Sequence, residues 1–494
     1  MDLAGAYQRG RNAFGRLLLS GTLRAKAARG ALFLGSGSAA EQVSRFARNM
    51  LLTRILEPSA FGVMAIVLSS AAIVSALTEV GLRAAIIQNP RGAEKAYLNA
   101  GWWMAMGRSI SMYAIIFAMA PWVAHFYKNV ELSGLLRVTL LGALFDGAMS
   151  PRSILLQKEM RFGRWLAISN IGAICGVTLT VILSLTLHSV WALAIGYCSE
   201  NVFRCLLSYI LCPGLPSLGW DRAAAQDLYK YARASFGLSF LNLIYSRTDI
   251  FVLGKLYSST SLGLYTMAVS LAQTPSVFLT AILGQTLFPA FAHVQDDMDR
   301  VNRILVEATS WLILLGLPTV VAVYLCGHSL LSIIYGARYV AGAGPLAVAA
   351  VGIFLNILNV AITCVFSGIG RPDLHRRAVA ASAIVMIIMI LPACKVFGLV
   401  GGQIAALAAI SVSYLLQVIR MRQLSCLDLL RYGKAFVPAL IASAGLLATG
   451  IAARSFGLAT RPVANIAFSV CTCAIAYGLC VPAFLRIRQK RADA

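Results

Sequence analysis

About fourteen apolar runs, each close to 20 residues long, divide this chain. They lie at 31–53, 62–88, 97–120, 133–150, 165–187, 190–211, 234–254, 262–287, 304–326, 344–367, 378–397, 399–419, 435–453 and 463–485. A run of that length crosses the hydrocarbon core as an α-helix, and runs without polar–apolar alternation are not barrel strands. Backbone in lipid must satisfy its own hydrogen bonds, so the chain is confined to a helical bundle. Charged residues make up 12% of it, against about a quarter in soluble chains. The expected fold is an all-α polytopic membrane protein with about fourteen transmembrane helices.

The net charge of +23 would suggest a nucleic-acid partner in a soluble protein. Here the basic residues cluster between the apolar runs, which makes them topology signals, and no nucleic acid is expected. An even helix count puts both ends on one side. With the N-terminus cytoplasmic, 28 of the 42 Lys and Arg fall on the cytoplasmic side and 7 on the other, the rest being inside helices. That bias supports cytoplasmic N- and C-termini. The basic segment 1–30 lacks a cleavable signal pattern and is expected to lie on the inner membrane surface. The tail 486–494 is likewise basic. Cys471 and Cys473 read as small core residues, no histidines pair at ligand spacing, and no phosphate-binding G-x-x-x-x-G-K-[ST] occurs. No cofactor, metal or catalytic activity is therefore expected.

The first run is unusual for a membrane helix. Glu41, Arg45 and Arg48 share one face at 100° per residue, with Asn49 at its edge. Three unpaired charges at mid-bilayer would cost on the order of 8–10 kcal/mol. Glu41 and Arg45, spaced i,i+4, partly neutralise each other. A surplus of positive charge remains, so this face is expected to line a polar cavity that handles an anion.

A shift of 201 residues lays the first run on the seventh. Glu41, Arg45 and Arg48 then fall on Asn242, Ser246 and Asp249, Arg54 on Lys255, and Phe61-Gly62 on Leu262-Gly263. An even number of helices separates the copies, so the repeats run parallel, about an axis along the membrane normal. The expected organisation is a basic N-terminal segment (1–30), an N-lobe of six helices (31–211), a cytoplasmic linker (212–233), a C-lobe of six helices (234–420), two further helices (421–485) and the tail (486–494). Substrate sites in such proteins lie near the membrane midplane at the repeat interface.

Other charges also fall within apolar runs: Glu79 and Arg83, Arg108, Glu200 and Arg204, and Arg247 and Asp249. The i,i+4 pairs Glu79/Arg83 and Glu200/Arg204 read most simply as local structural pairs. Arg108 has no acid one turn away and is a stronger candidate for function. Asp249 has three open roles: a partner of Arg247, a partner of an arginine across the cleft, or a ligand of a coupling cation. The candidate anion ligands are Arg45, Arg48, Arg83, Arg108 and Arg247. The candidate polar or ion-coupling positions are Glu41, Asn49, Glu79, Asn242 and Asp249. Guanidinium groups suit phosphate, because they offer a bidentate fork and keep their charge when dehydrated. Glycines such as Gly172 and Gly176 read as sites of close helix packing.

The run NMLLTRILEPSAFG (49–62) resembles the opening motif of the bacterial polysaccharide transporters, the Wzx-type flippases of the multidrug/oligosaccharidyl-lipid/polysaccharide exporter superfamily. TEVGLRAAIIQ (78–88), SRTDIFVLGKL (246–256), LGLYTMA (262–268), LFPAFAHVQDD (287–297), YGARYVAGAGPL (335–346) and SGIGRP (367–372) resemble that family in the same order. Glu79 stands where the resemblance calls for aspartate. The resemblance implies a two-lobed fold of fourteen helices. It also implies transport of an undecaprenyl-pyrophosphate-linked oligosaccharide across the bacterial inner membrane for surface or exopolysaccharide synthesis. Membrane lipids and polymerase or export proteins would be its partners. A cation-coupled drug exporter of the same superfold and a lipid II flippase remain as alternatives.

Overall fold

The structure is a computed structural model, and it describes residues 40–78, 81–159, 161–217, 219–232, 238–434, 436–455, 462–474 and 477–478. The basic ends 1–30 and 486–494, the start of the first run and Glu79 lie outside the described residues.

The protein is an all-α polytopic membrane protein, and no strand occurs among the described residues. Among the described residues, nine helices are long and apolar enough to span a bilayer. In chain order the helices begin with α1 (40–55), α2 (Pro58–Thr78), α3 (Leu82–Gln88), α4 (Lys95–Tyr127) and α5 (Glu131–Gly147). Next come α6 (Ser153–Lys158), α7 (Phe162–Leu187), α8 (Val190–Leu211) and α9 (Arg222–Ala232). The second half holds α10 (Leu238–Leu256), α11 (Ser259–His293), α12 (Met298–Ile334), α13 (Ala343–Gly368), α14 (Pro372–Phe397) and α15 (Leu399–Ser425). It ends with α16 (Leu429–Lys434), α17 (Val437–Ser455) and α18 (Pro462–Ala474). α1, α5, α8, α10 and α18 are shorter or more polar than the nine. Together with them they occupy the fourteen positions of the apolar runs.

Two sequence expectations need correction. The second run is not one helix: α2 stops at Thr78, and α3 starts after Gly81, whose φ of 64° lies in the left-handed region that glycine adopts without strain. The connection 288–303, between the eighth and ninth apolar runs, is mostly helix. α11 continues to His293, and α12 starts after Asp297, whose side chain accepts from the Arg300 backbone N–H at 2.9 Å. At 35 and 37 residues, α11 and α12 are each over 50 Å long by the helical rise, about 20 Å more than the hydrocarbon core. The segment 212–233 has structure of its own. It carries α9, which buries Ala224, Ala225 and Leu228 against Leu82, Ile86, Tyr97 and Leu98. Tyr97 donates to Asp227 at 2.7 Å, and Asn99 accepts from the Ser217 N–H at 2.7 Å.

The chain forms two compact units. One holds residues up to Arg48 and Val74–Gly237; the other holds Asn49–Ile73 and the chain from Leu238 onward.

In the first unit α7 and α8 pack as an antiparallel pair, and α5 lies against α4 and α8. Small residues set these contacts. A Cβ on Gly172 would sit 2.5 Å from Arg204 Cγ, and one on Gly176 would sit 2.6 Å from Glu200 Cβ. Lipid offers no hydrophobic drive for helix association, so this close approach is how such helices gain dispersion energy.

In the second unit α11, α12, α13 and α15 surround a core of Phe291, Leu305, Phe354, Leu358, Phe366 and Tyr414. α14 and α15 pack closely at Gly401, where a Cβ would overlap the Ala393 carbonyl. The start of α2 belongs here too. A Cβ on Gly62 would overlap the carbonyl oxygen of Ser259, and a Cβ on Gly263 would overlap that of Pro58. Both pairs are related by the repeat shift, since Pro58 corresponds to Ser259 and Gly62 to Gly263. The starts of α2 and α11 therefore cross in a locally two-fold manner, each glycine admitting the other helix's backbone.

Candidate functional site

The charged face of α1 meets α8 within the first unit. Glu41 Oε1 accepts from Arg45 Nη2 at 2.7 Å and from Arg204 Nη2 at 3.1 Å. The same Arg204 nitrogen reaches Glu200 Oε1 at 2.8 Å, and Arg48 Nη1 lies 3.8 Å from Glu200 Oε2. The order Arg45–Glu41–Arg204–Glu200–Arg48 forms one alternating chain of three cations and two anions, with one positive charge in excess. Local structure explains its shape. The i,i+4 and i,i+3 steps put Glu41, Arg45 and Arg48 on one stripe of α1, and the i,i+4 step stacks Glu200 under Arg204 on α8. Glycines on α7 make room for the stems of both α8 residues.

Glu200 is the eleventh of the 22 residues of α8, so about 15 Å of helix extends to either side of it. The cluster therefore lies near the middle of α8. Its exposure is graded: Glu200 is 11% exposed, Arg204 20% and Arg45 51%. Burial is greatest at the Glu200 end, and Arg45 faces open space.

Arg108 lies elsewhere in the first unit. Its Nη2 donates to the Ser75 carbonyl and hydroxyl, both at 3.3 Å, and its Nε donates to Thr78 Oγ1 at 3.4 Å. Arg83 is exposed on the short helix α3, with its guanidinium 4.8 Å above the Trp165 ring, a cation–π contact. Arg137 stacks on Phe117 at 4.2 Å.

In the second unit, Asn242 and Arg247 are exposed on α10, and Asn49 is half-buried on α1. Asp249 is buried. It accepts from the Tyr265 hydroxyl at 2.5 Å and from the Ile250 N–H at 2.8 Å. Gln403 Nε2 in turn donates to the Tyr265 oxygen at 2.6 Å. α10, α11 and α15 are thus tied by a buried Asp–Tyr–Gln relay. Sequence reasoning singled out Asp249 but neither partner; a tyrosine and a glutamine in apolar runs carry no spacing signal. We expect Tyr265→Phe to destabilise the second unit by about 1–3 kcal/mol, because it strands buried polar groups on both sides. Thermal unfolding of the purified variant checks this, and an unchanged midpoint would count against the relay.

Glu200 and Arg204 were visible in the sequence as an i,i+4 pair. Their union with α1 was not, because two helices some 150 residues apart carry no mutual spacing signal.

The family model described as polysaccharide biosynthesis protein matches residues 51–343, more than half of the chain. The lipopolysaccharide biosynthesis protein WzxC of Escherichia coli K12 is 22% identical over 302 residues, covering 58% of this chain and 59% of that protein. The succinoglycan biosynthesis transport protein ExoT of Rhizobium meliloti is 23% identical over 297 residues, covering 60% of each. The chain thus matches about three fifths of the length of these curated relatives. In fold it is similar to the lipid II flippase MurJ in an inward closed conformation. The TM-score is 0.75 at 12% identity, covering 92% of this chain and 99% of that one. An inward-facing multidrug resistance MATE family transporter gives 0.61 at 15% identity, covering 78% and 95%. At such identities these likenesses speak for the fold alone. The chain belongs to the polysaccharide biosynthesis protein family.

Proposed function

We propose that this protein is a flippase. It moves polyprenyl-pyrophosphate-linked oligosaccharide repeat units across the bacterial inner membrane by alternating access through an arginine-lined cavity. Both termini are cytoplasmic in this reading. The observation that carries it is the α1–α8 cluster, in which Arg45, Arg48 and Arg204 outnumber Glu41 and Glu200 near the middle of α8. Net positive charge at that depth is expensive, and such residues mark substrate pathways. A diphosphate offers the geometry that guanidinium forks bind best. The similarity to WzxC, a lipopolysaccharide biosynthesis protein, and ExoT, a succinoglycan biosynthesis transport protein, supports a glycan cargo. Arg108 is a further ligand in this reading, and Asp249 a site for ion coupling.

Deleting the gene is expected to abolish the surface or exported polymer and to leave lipid-linked intermediates on the inner leaflet. Complementation with Arg45→Ala, Arg48→Ala or Arg108→Ala is expected to restore membrane-inserted protein but not polymer. Normal polymer from all three variants would rule out the assigned arginines. The buried carboxylate of Asp249 favours one second reading, a cation-coupled drug exporter. Loss of drug resistance in Asp249→Asn, with polymer intact, would support it. A lipid II flippase would instead make the gene essential.

A further inference from the structure

Glu41 holds an unusual position: a single carboxylate oxygen bridges guanidinium groups of two different helices, Arg45 Nη2 at 2.7 Å and Arg204 Nη2 at 3.1 Å. A phosphoryl oxygen makes the same bridge. We propose that Glu41 is a built-in place-holder for the phosphate of the substrate, and that Arg204 is a phosphate ligand in its own right. The proposal rests on the reading of the α1–α8 cluster as the pyrophosphate site.

The two acids of the cluster are not equivalent. Glu200 is 11% exposed, lies between Arg48 and Arg204, and has its Cβ pressed on Gly176. It is fixed in place. Glu41 is 27% exposed, and its partner Arg45 is 51% exposed, so this end of the chain borders open space into which the carboxylate can swing. Arg204 is built to receive a replacement. Its stem is seated against Gly172, one nitrogen serves both acids, and its buried Nε has no hydrogen-bond partner among the described residues. A phosphate that takes the place of Glu41 can use that Nε and complete the guanidinium fork.

Exchange of one anion for another has two consequences. No arginine is left bare at mid-membrane before loading or after release, which avoids the cost of an unpaired buried charge. The tethered carboxylate also competes with the ligand, which keeps binding reversible and lets the headgroup leave. The acid thereby favours turnover over affinity.

Purified full-length protein titrated with inorganic pyrophosphate tests this directly by calorimetry. Glu41→Gln keeps the shape of the side chain and removes its charge. It is expected to tighten pyrophosphate binding by at least about tenfold, while lowering polymer export in cells. Arg204→Ala is expected to weaken binding by at least about tenfold, and Arg204→Lys to recover part of it. Thermal midpoints of the variants separate misfolding from lost binding, and Glu41→Gln serves even where Arg204→Ala does not fold. Affinity unchanged or lowered in Glu41→Gln overturns the place-holder, as does absence of pyrophosphate binding by wild type and variant alike. If gene deletion abolishes polymer but Glu41→Gln does not tighten binding, the place-holder fails and the flippase reading stands. If Glu41→Gln tightens binding and deletion leaves the polymer intact, the anion exchange stands and the glycan assignment fails.

Discussion

Replacing Gly62 or Gly263 by alanine is expected to be among the most damaging single changes in the chain. At each position the new Cβ falls within the carbonyl oxygen of the opposite helix, Ser259 in one case and Pro58 in the other. Overpacking against side chains typically costs about 1–3 kcal/mol, because neighbouring rotamers yield. Here the obstacle is backbone, so α2 and α11 must move apart as bodies, and the cost is expected at or above the top of that range. Thermal unfolding of detergent-purified Gly62→Ala and Gly263→Ala reads the effect, with Gly352→Ala as a control, since a Cβ there meets nothing within 4 Å. Midpoints equal to that of the control would mean that the two helices do not cross in this way. The local symmetry adds a second expectation. The two alanines press on the same crossing, so the double variant should lose less than the sum of the single losses.

Glu200→Ala is the second large effect. Its carboxylate is buried between Arg204 at 2.8 Å and Arg48 at 3.8 Å, and deleting it leaves two guanidiniums facing each other without an anion between them. Breaking a buried ion pair from one side costs about 3–5 kcal/mol, more than the pair itself contributes, because a stranded charge remains. We expect Glu200→Ala to lose most of its folded protein, and Glu200→Ala/Arg48→Ala to recover part of it by removing the stranded cation, since Arg204 keeps Glu41 at 3.1 Å. Folded yield and thermal midpoint of the two variants decide this. A double variant no better than the single would indicate that Glu200 acts through packing on Gly176 and not through charge.

Much of the architecture was legible in the chain itself. Apolar runs of about 20 residues mark the helices because a bilayer core of about 30 Å fixes the length of a span. The repeat could be read from Glu41, Arg45, Arg48 and Gly62 against Asn242, Ser246, Asp249 and Gly263, since duplicated helices keep their polar faces and tight turns in register. The stripe on α1 followed from 100° per residue. Three elements were less legible. The break at Gly81 hides within a continuous apolar run, because glycine is also frequent inside membrane helices and so does not by itself mark an end. α11 and α12 run past the membrane through polar sequence that hydropathy reads as loop. α9 hides in the inter-lobe segment, its burial visible only in the spacing of Ala224, Ala225 and Leu228.

By itself the sequence determined that the chain is a helical membrane protein, and which face of its first helix carries charge. Those properties depend on local composition and periodicity, which neighbours in the chain set. Tertiary structure alone decided which charges meet. It joined α1 to α8, made Glu41 a bridge and Glu200 a buried strut, and left Arg83 and Arg108 with other partners. Ion pairing acts over a few ångströms in space and is indifferent to separation along the chain, so no spacing in the sequence could have shown it.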